Sequence, residues 1–426
     1  MQENKASFHV KNISLFKRQM LNWANQFSIC CFLDSHSYED KYHLFDCLLA
    51  IDSVGTFCPE ENILSQLNDF YLNSDGWIFG HVGYDLKNEI EDLTSTHVNK
   101  IGFPDIFFFL PRIVISLNDH VATIFSVDCD PEAIFNFIEN SSFQHRSFQA
   151  EWKEIKSSFS REDYTKTIDR LKTHILRGDC YEINFCQEFY IDEIDINAVQ
   201  TYLHLLEISP SPFSCFYKLK NRYLLCASPE RYLSKRDDVI FSQPIKGTAA
   251  RNADRELDAL AKKTLYNSEK EKGENVMVVD LVRNDLSKIC EEGSVEVDEL
   301  FGIYSFPQVH QMISTVKGRL SRDISFDKIL KATFPMGSMT GAPKRRVMEL
   351  IDQYERTQRQ LYSGSVGYIT PDKNFDFNVV IRSIFYNETR RYLNYLVGSA
   401  ITYYSQPEEE YEECLLKAKA IEAVLM

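Results

Sequence analysis

The sequence predicts an α+β protein built mainly on antiparallel β-sheets. The chain has 426 residues, of which 44% are hydrophobic, so it is too apolar for a disordered protein and can bury a large core. Strand-like and helix-like runs do not alternate regularly, as they would around a parallel sheet. Short β-like runs instead follow one another closely, which is typical of antiparallel neighbours joined by turns.

The first region, residues 1–145, is rich in Phe, Ile and Val in short runs. These runs predict three strands, and helical spacing of apolar residues predicts one short helix. The predicted strands are 27–33, 76–84 and 107–117, and the predicted helix is 61–71. The polar stretch 140–147 is a candidate linker to a second region, 150–426, although we expect the two regions to form one compact unit.

The second region begins with a predicted amphipathic helix that ends at Gly178, a suitable C-cap. Its other elements are predicted from the same periodicities. The helices are 161–177, 254–268 with a possible continuation over 271–282, 344–356 and 408–425, and the strands are 180–189, 214–218, 223–227, 239–244, 366–370, 376–385 and 392–397.

The charge balance excludes one class of partner. Lys and Arg number 47 and Asp and Glu number 62, which gives a formal net charge of −15. Such a chain does not bind nucleic acid through bulk electrostatics. An anionic substrate would need a local positive site or a bound cation.

Targeting and membrane signals are missing from the sequence pattern. The N-terminus lacks the apolar core of a signal peptide. The most apolar stretch, 101–117, contains Asp105, Arg112 and two prolines and is too short to span a bilayer. The eleven cysteines form no CxxC pair, which disfavours zinc and favours a reduced compartment. We therefore expect a cytoplasmic protein without a membrane partner.

Two acidic pairs are candidate metal ligands. Glu271 and Glu274, and likewise Glu410 and Glu413, are three residues apart on predicted helices, so each pair shares a helix face. Two such helices across a cleft could hold Mg²⁺, which prefers hard oxygen ligands. The alternative is a pair of solvated acidic faces.

A glycine-punctuated loop over 334–343 leads into a predicted helix, with Pro343 suited to the first helical position. Exposed N–H groups at such a helix start bind anions. An ordinary helix N-terminus capped by Ser or Thr is the alternative.

Three charged residues are candidates for chemistry. Lys246 lies between an apolar strand and Gly247. If it is shielded from water, its amine loses its proton near neutral pH and becomes a nucleophile, whereas the alternative is a surface lysine at a strand end. Glu230 is a functional carboxylate or half of an exposed Glu–Arg pair. Arg382, in an apolar β-like run, needs a carboxylate partner from a ligand or from the protein.

Seven short motifs follow one another in the second region: 178–184 (GDCYEIN), 228–231 (SPER), 243–248 (QPIKGT), 274–285 (ENVMVVDLVRND), 337–344 (GSMTGAPK), 376–382 (DFNVVIR) and 411–418 (YEECLLKA). Their identity and order resemble those of the chorismate-utilising enzymes, specifically the large subunits of aminodeoxychorismate synthases. The resemblance is strong over 159–426 and weaker in the N-terminal region, where 32–35 (FLDS) and 80–84 (GHVGY) carry it.

The resemblance implies a fold of large antiparallel sheets packed as a sandwich and flanked by helices, holding one chorismate and one Mg²⁺. It implies that Glu274 and Glu413 bind the metal, with Glu271 and Glu410 supporting them from one helix turn away. The substrate-binding residues that it implies are Thr248, Ser338, Tyr362, Arg382, Gly398, Ser399, Ala400 and Lys417, with Tyr362, Arg382 and the 398–400 backbone at the enolpyruvyl carboxylate.

The resemblance also implies a reaction. Lys246 attacks C2 of the chorismate ring, the double bonds shift, and the C4 hydroxyl leaves with a proton from Glu230. Ammonia then adds at C4 and Lys246 is expelled, which gives 4-amino-4-deoxychorismate, a precursor of para-aminobenzoate and folate. Because the sequence has no GxCxG-type nucleophile loop, a separate glutamine amidotransferase subunit is the expected source of ammonia.

Three alternatives to this reaction are weighed by comparing single positions with those of other family members. Anthranilate-forming members resemble this chain but usually carry a small residue at the position of Lys246. Isochorismate-forming members carry a water-activating lysine where Glu182 stands, which disfavours that reaction here. Gln311 replaces a frequent histidine, and Ala400 replaces a glycine, so a catalytically silent chorismate-binding subunit is the third alternative. His310, next to Gln311, would point to the other face of a strand.

Overall fold

The computed structural model describes residues 3–36, 38, 42, 44–142, 153–306 and 309–425. Within these residues the chain forms two large sheets and the helices that flank them. The strands are β1 (Glu3–His9), β2 (Ile29–Asp34), β3 (Cys47–Ile51), β4 (Gly55–Phe57), β5 (Ile78–Val82), β6 (Ile106–Leu110), β7 (Ile113–Asn118), β8 (Val121–Val127), β9 (Lys156–Ser157), β10 (Glu182–Ile191), β11 (Phe213–Leu219), β12 (Arg222–Ser228), β13 (Arg231–Arg236), β14 (Val239–Gln243), β15 (Ile245–Ala250), β16 (Glu296–Ser305), β17 (Val309–Arg319), β18 (Gly341–Ala342), β19 (Ser365–Ile369), β20 (Phe375–Asn378), β21 (Ser383–Asn387) and β22 (Tyr392–Ile401). The α-helices are α1 (Ile13–Ala24), α2 (Ile63–Asn73), α3 (Lys87–Glu91), α4 (Pro131–Glu139), α5 (Arg161–Leu176), α6 (Ala198–Ile208), α7 (Arg255–Asn267), α8 (Glu269–Ser287), α9 (Phe326–Thr333), α10 (Lys344–Tyr354) and α11 (Pro407–Leu425).

Both sheets contain strands from the N-terminal and the C-terminal regions. The first sheet runs β1-β8-β7-β3-β2-β11-β12-β21-β22-β10-β18, with β9 on β10. The second runs β15-β17-β14-β13-β20-β19-β5-β6-β4, with β16 on β17. In the first sheet β2 pairs with β11, and in the second β5 pairs with β19, both antiparallel. Main-chain hydrogen bonds therefore join residues on either side of the candidate linker, of which 143–147 lie outside the described residues.

The first sheet is buried on both faces. Along β3, Leu49 and Ile51 contribute to a core shared with α1, α5, α6 and α11. Leu48 and Ala50, which point the opposite way, contribute to a second core shared with the other sheet, α2, α8 and α9. The predicted sandwich of antiparallel sheets flanked by helices is therefore confirmed.

Two predicted strands are wrong in extent because each is a pair of strands that lie in different sheets. The run 107–117 breaks at Pro111, which has no N–H to donate to a ladder, so β6 joins one sheet and β7 the other. The run 376–385 breaks before Ser383, where Arg382 has a φ of 51°. Arg382 thus lies in a connection between sheets, not within a strand.

Two helix boundaries, at Ser268 and at Pro343, differ from the prediction. The predicted continuation after 268 is a separate helix, α8, because the Ser268 side chain accepts a hydrogen bond from the Glu271 N–H and caps it. Pro343 precedes the first turn of α10 instead of occupying it. Gly178 follows α5 with a φ of 83°, as expected for a C-terminal cap. No helix among the described residues has the length and apolarity needed to cross a membrane.

Candidate active site

Lys246 faces a buried carboxylate from the opposite sheet. Lys246 lies on β15 of the second sheet, and Glu182 is the first residue of β10 in the first sheet. The Lys246 Nζ lies 2.9 Å from the Glu182 Oε1, with the two side chains 11% and 2% exposed. Lys246 is therefore not the surface lysine of the alternative interpretation.

The protonation of Lys246 differs from expectation. Burial lowers the pKa of its amine, but the carboxylates that face it, Glu182 first and then Glu274 and Glu230, reverse this effect, so the net pKa is raised. The expectation that shielding alone deprotonates Lys246 is therefore wrong for the resting protein. Glu182 holds the lysine as an ammonium, and the second oxygen of Glu182 has no hydrogen-bond partner among the described residues.

Glu230 is poised between acid and base. It lies in the turn between β12 and β13 and is buried. Burial raises the pKa of its carboxyl to about 7, although a hydrogen bond from Ser338 and the charges of Lys246 and Arg382 oppose the rise. Glu230 is therefore not half of an exposed ion pair. Arg231, its sequence neighbour, instead binds Asp376 at 2.9 Å.

Three of the four predicted metal ligands lie near one another. Burial raises the pKa of Glu274 to about 7, and the negative charge of Glu271, one turn away on α8, adds to the rise. Burial and the charge of Glu413 on α11 raise the pKa of Glu271. Burial opposes ionisation of Glu413, but Lys417, whose Nζ lies 2.7 Å from its Oε1, makes its net pKa lower.

The chemistry of these carboxylates suits a hard cation, although their side chains are not arranged with the spacing of a metal site. Across the described ranges, no group of three or more His, Cys, Asp or Glu side chains has the spacing of a metal site. The donors are nevertheless oxygen atoms. Burial is the main cause of the raised pKa of Glu271 and Glu274, repulsion from a neighbouring carboxylate adds to it in each case, and a divalent cation would relieve that repulsion. Gly247 lets β15 approach them, because its φ is 92° and a Cβ there would lie 3.0 Å from the Glu271 Oε2.

Arg382 has the environment of an anion-binding residue. Burial lowers the pKa of its guanidinium, and within the described part of the chain no carboxylate hydrogen-bonds to it. It lines a small cavity with Gln311, whose buried side-chain oxygen likewise lacks a described partner. His310 points away, to Asp258, as predicted from the strand alternation. Glu230 is close enough for its charge to act on Arg382, but no carboxylate of the described residues forms an ion pair with it.

Tyr362, Gly398 and Lys417, three other predicted substrate residues, are linked by contacts around β10 and β22 of the first sheet. Tyr362 is buried, and its hydroxyl lies 3.8 Å from the Cys186 Sγ. Cys186 is paired with Gly398 across β10 and β22. Lys417 donates to the Gly398 carbonyl at 2.8 Å, which links this backbone to the α11 carboxylates.

The remaining predicted site residues differ in burial and in their distance from the acidic residues of the site. Ser338 is buried beside Glu230, and Ser399 is buried on β22. Thr248 is exposed on β15. Glu410 is buried near Tyr164 and Cys414, and no described contact brings it to the other acidic residues.

Sequence reasoning gave no role to two carboxylates that the structure places at the site. From the sequence, Glu182 is marked only as the position of a lysine in relatives, because a single Glu in a strand-like run carries no periodic signal. The second is Glu355, whose Oε1 lies 2.5 Å from the Arg359 Nη2; the side chains of this pair are each 1% exposed. The charges of both residues act on Tyr362. Their spacing of four residues is helical, but Arg359 lies beyond the end of α10, so periodicity did not mark them as partners.

The sequence profile of the family described as chorismate binding enzyme matches residues 30–423. Aminodeoxychorismate synthase component 1 of Klebsiella aerogenes is 34% identical over 348 residues, which cover 81% of this chain and 76% of that protein. The chloroplastic aminodeoxychorismate synthase of Arabidopsis thaliana is 35% identical over 368 residues, again 81% of this chain. The chain spans 40% of the length of this plant relative.

Solved structures agree with the fold. Anthranilate synthase component I from Streptococcus pneumoniae superposes with a TM-score of 0.76 at 25% identity, covering 91% of this chain and 95% of that one. The menaquinone-specific isochorismate synthase of Escherichia coli superposes with a TM-score of 0.79 at 16% identity, covering 100% of this chain and 94% of that one. The resemblance inferred from the seven motifs is confirmed, and the chain belongs to the chorismate-binding enzyme family.

Proposed function

We propose that this chain is the chorismate-aminating component of an aminodeoxychorismate synthase, which converts chorismate and ammonia to 4-amino-4-deoxychorismate. The observation that carries the proposal is the position of Lys246, inside the site and within the field of Glu182 and Glu230. Relatives named aminodeoxychorismate synthase, at 32–35% identity over most of this chain, support the same assignment.

The side chains divide the work by their chemistry. Arg382 offers a buried guanidinium that has no carboxylate hydrogen-bonded to it among the described residues, so it can bind a substrate carboxylate. Tyr362 and the Gly398 backbone lie at the same end of β10 and β22. Lys246 is the nucleophile at C2. Glu230, with a pKa of about 7, holds the proton that the departing C4 hydroxyl requires at neutral pH.

Mg²⁺ is the proposed cofactor. Glu274 and Glu413 would hold it, with Glu271 one turn from Glu274. When bound, it supplies positive charge for the ring carboxylate of an anionic substrate in a chain of net charge −15. The ammonia would come from a separate glutamine amidotransferase subunit, consistent with the term "component 1" in the names of bacterial relatives.

The test is product analysis of the purified chain with chorismate, MgCl₂ and ammonium at alkaline pH. We expect a product with the mass of 4-amino-4-deoxychorismate, which becomes para-aminobenzoate only after a lyase is added, and no product when EDTA is present. Fluorescent anthranilate formed without a lyase would favour the anthranilate alternative. Unchanged chorismate would favour a silent binding subunit.

The pH dependence of the first chemical step should follow Glu230. A carboxyl group with a pKa of about 7 is protonated below that pH, so adduct formation on Lys246 in the absence of ammonia should slow as the pH rises through 7. Glu230→Gln should lower the rate by about 10²–10⁴-fold and remove this decline. Rapid-quench mass spectrometry from pH 6 to 8 measures both, and a wild-type rate that stays constant over this range would contradict the role of Glu230.

A further inference from the structure

The pairing of Glu182 with Lys246 leaves a chemical problem that the proposed function does not solve. An ammonium has no lone pair, so Lys246 must lose a proton before its nitrogen can bond to C2. The structure holds Lys246 as an ammonium, with Glu182 as its hydrogen-bond partner. Because the Lys246 side chain is only 11% exposed, the proton needs an acceptor close to its Nζ.

Among the described residues, the carboxylates that act most strongly on Lys246 are Glu182, Glu274 and Glu230, and of these Glu182 is suited to accept its proton. Glu230 must already carry a proton for the departing hydroxyl. Glu274 is assigned to the metal. Glu182 is the one whose oxygen is within hydrogen-bond distance of the Nζ, at 2.9 Å.

The position of Glu182 is set by the backbone around it. Glu182 pairs with Ala342 of β18. A Cβ on Gly341, the residue before Ala342, would lie 2.1 Å from the Glu182 carbonyl oxygen. Gly341, with a φ of 138°, therefore lets β18 close directly over the start of β10. The side chain is 2% exposed, and its Oε2 has no described partner, so that oxygen is a vacant acceptor.

We infer that Glu182 is a catalytic residue that takes one proton from the Lys246 ammonium as the lysine attacks C2 and returns it when the lysine leaves. This inference rests on the proposed function. It assigns to Glu182 the activation of the group that attacks C2.

The protons and charges balance. Proton transfer converts the ammonium–carboxylate pair into a neutral amine and a carboxylic acid, and the N–C2 bond forms as the C4–O bond breaks. The hydroxyl leaves as water with the proton of Glu230, and the adduct is a secondary ammonium. When ammonia bonds to C4, the N–C2 bond breaks, the free amine of Lys246 regains its proton from Glu182, and the new C4 ammonium returns a proton to Glu230.

The experiment compares adduct formation in the wild type and in Glu182→Gln, each incubated with chorismate and MgCl₂ without ammonia and quenched rapidly for intact-protein mass spectrometry. Glutamine keeps the size and the hydrogen-bond acceptor but cannot take a proton. We expect the variant to be slower by about 10²-fold or more at pH 7. In the variant the solvent must remove the proton from Lys246, so the ratio of the variant rate to the wild-type rate should rise with pH. The titration of Glu230 affects both proteins equally and therefore does not change this ratio.

Each outcome has a defined meaning. A variant as fast as the wild type, or faster, would show that Glu182 only restrains Lys246 as an ammonium. A slower variant with a pH-independent ratio would show that Glu182 only positions the amine. Either result overturns the inference, whereas a wild type that never forms an adduct contradicts the proposed function itself.

Two further variants check the structural contribution. Glu188→Gln alters a buried carboxylate on the same strand, bound to Tyr392 and Asn394, and should leave the adduct rate unchanged. Glu182→Asp keeps a carboxylate at a greater distance and should recover part of the lost rate without the rise of the ratio with pH. If Glu182→Asp is as slow as Glu182→Gln and equally pH-dependent, the carboxylate is not the acceptor.

Discussion

Lys246→Ala is expected to abolish the covalent chorismate adduct and to lower ammonium-dependent turnover by about 10²-fold or more. The physical reason is that, among the described residues, no other amine is hydrogen-bonded to Glu182. Intact-protein mass spectrometry after incubation with chorismate and MgCl₂ measures the adduct. Chromatographic assay of 4-amino-4-deoxychorismate measures the turnover.

Loss of activity must be separated from loss of the fold. Removing Lys246 leaves the buried Glu182 without its counter-charge, and breaking a buried pair can cost about 3–5 kcal/mol. Lys246→Met combined with Glu182→Gln replaces the pair by neutral side chains of similar size, so it should recover the melting temperature without recovering the adduct. Full turnover in Lys246→Ala would contradict the nucleophile assignment.

Arg359→Met is expected to destabilise the protein by about 3–5 kcal/mol, because it removes one member of a fully buried ion pair. Arg359 also donates to the backbone carbonyls of Asn184 and Met339, each at 2.7 Å. These two carbonyls belong to β10 and to the loop that carries Ser338. The substitution should therefore loosen the scaffold beneath the site as well as lower global stability.

Urea denaturation followed by circular dichroism gives the free energy of unfolding for this comparison. Arg391→Met is the matched control, because Arg391 also binds a carboxylate, Asp195 at 2.7 Å, but the two side chains are 50% and 66% exposed. An exposed pair contributes little, so this variant should unfold at the wild-type urea concentration. Equal effects of the two substitutions would show that burial does not govern the contribution of the Arg359 pair.

Much of the candidate site could be predicted because its residues lie in short motifs. Lys246 and Glu230 each occur within a few residues of glycine or proline, and the carboxylates of α8 are spaced by one helical turn. Such local features persist in the sequence whatever the tertiary structure. Glu410 shares this spacing with Glu413, yet it is buried near Tyr164 instead, which shows that helical spacing alone does not determine which face meets the site.

The errors in the two predicted strands that are wrong in extent have a common cause. The runs 107–117 and 376–385 are continuous in hydropathy but cross from one sheet to the other. Both sheets bury their strands against the same inter-sheet core, so apolar character does not change where the chain passes between them. Only Pro111 marked one of these breaks, and the φ of 51° at Arg382 had no counterpart in composition.

The protonation of Lys246 likewise depended on a distant partner. Its environment within the chain predicted shielding, and shielding alone lowers the pKa of a lysine. Glu182, 64 residues earlier and in the other sheet, reverses the sign of the shift. A prediction from local sequence had no means of placing that carboxylate at 2.9 Å.

By itself, the sequence determined the α+β class, the helices that carry the acidic pairs, and the family, because hydrophobic periodicity and local motifs are properties of neighbouring residues. The tertiary structure alone decided that Lys246 is an inward-facing ammonium, that Glu182 is its partner, and that Arg382 forms no ion pair with a carboxylate of the described residues. These features depend on long-range pairing across two sheets. Burial lowers the pKa of the Arg382 guanidinium, whereas the carboxylates that the fold brings to Lys246 outweigh burial and raise the pKa of its amine.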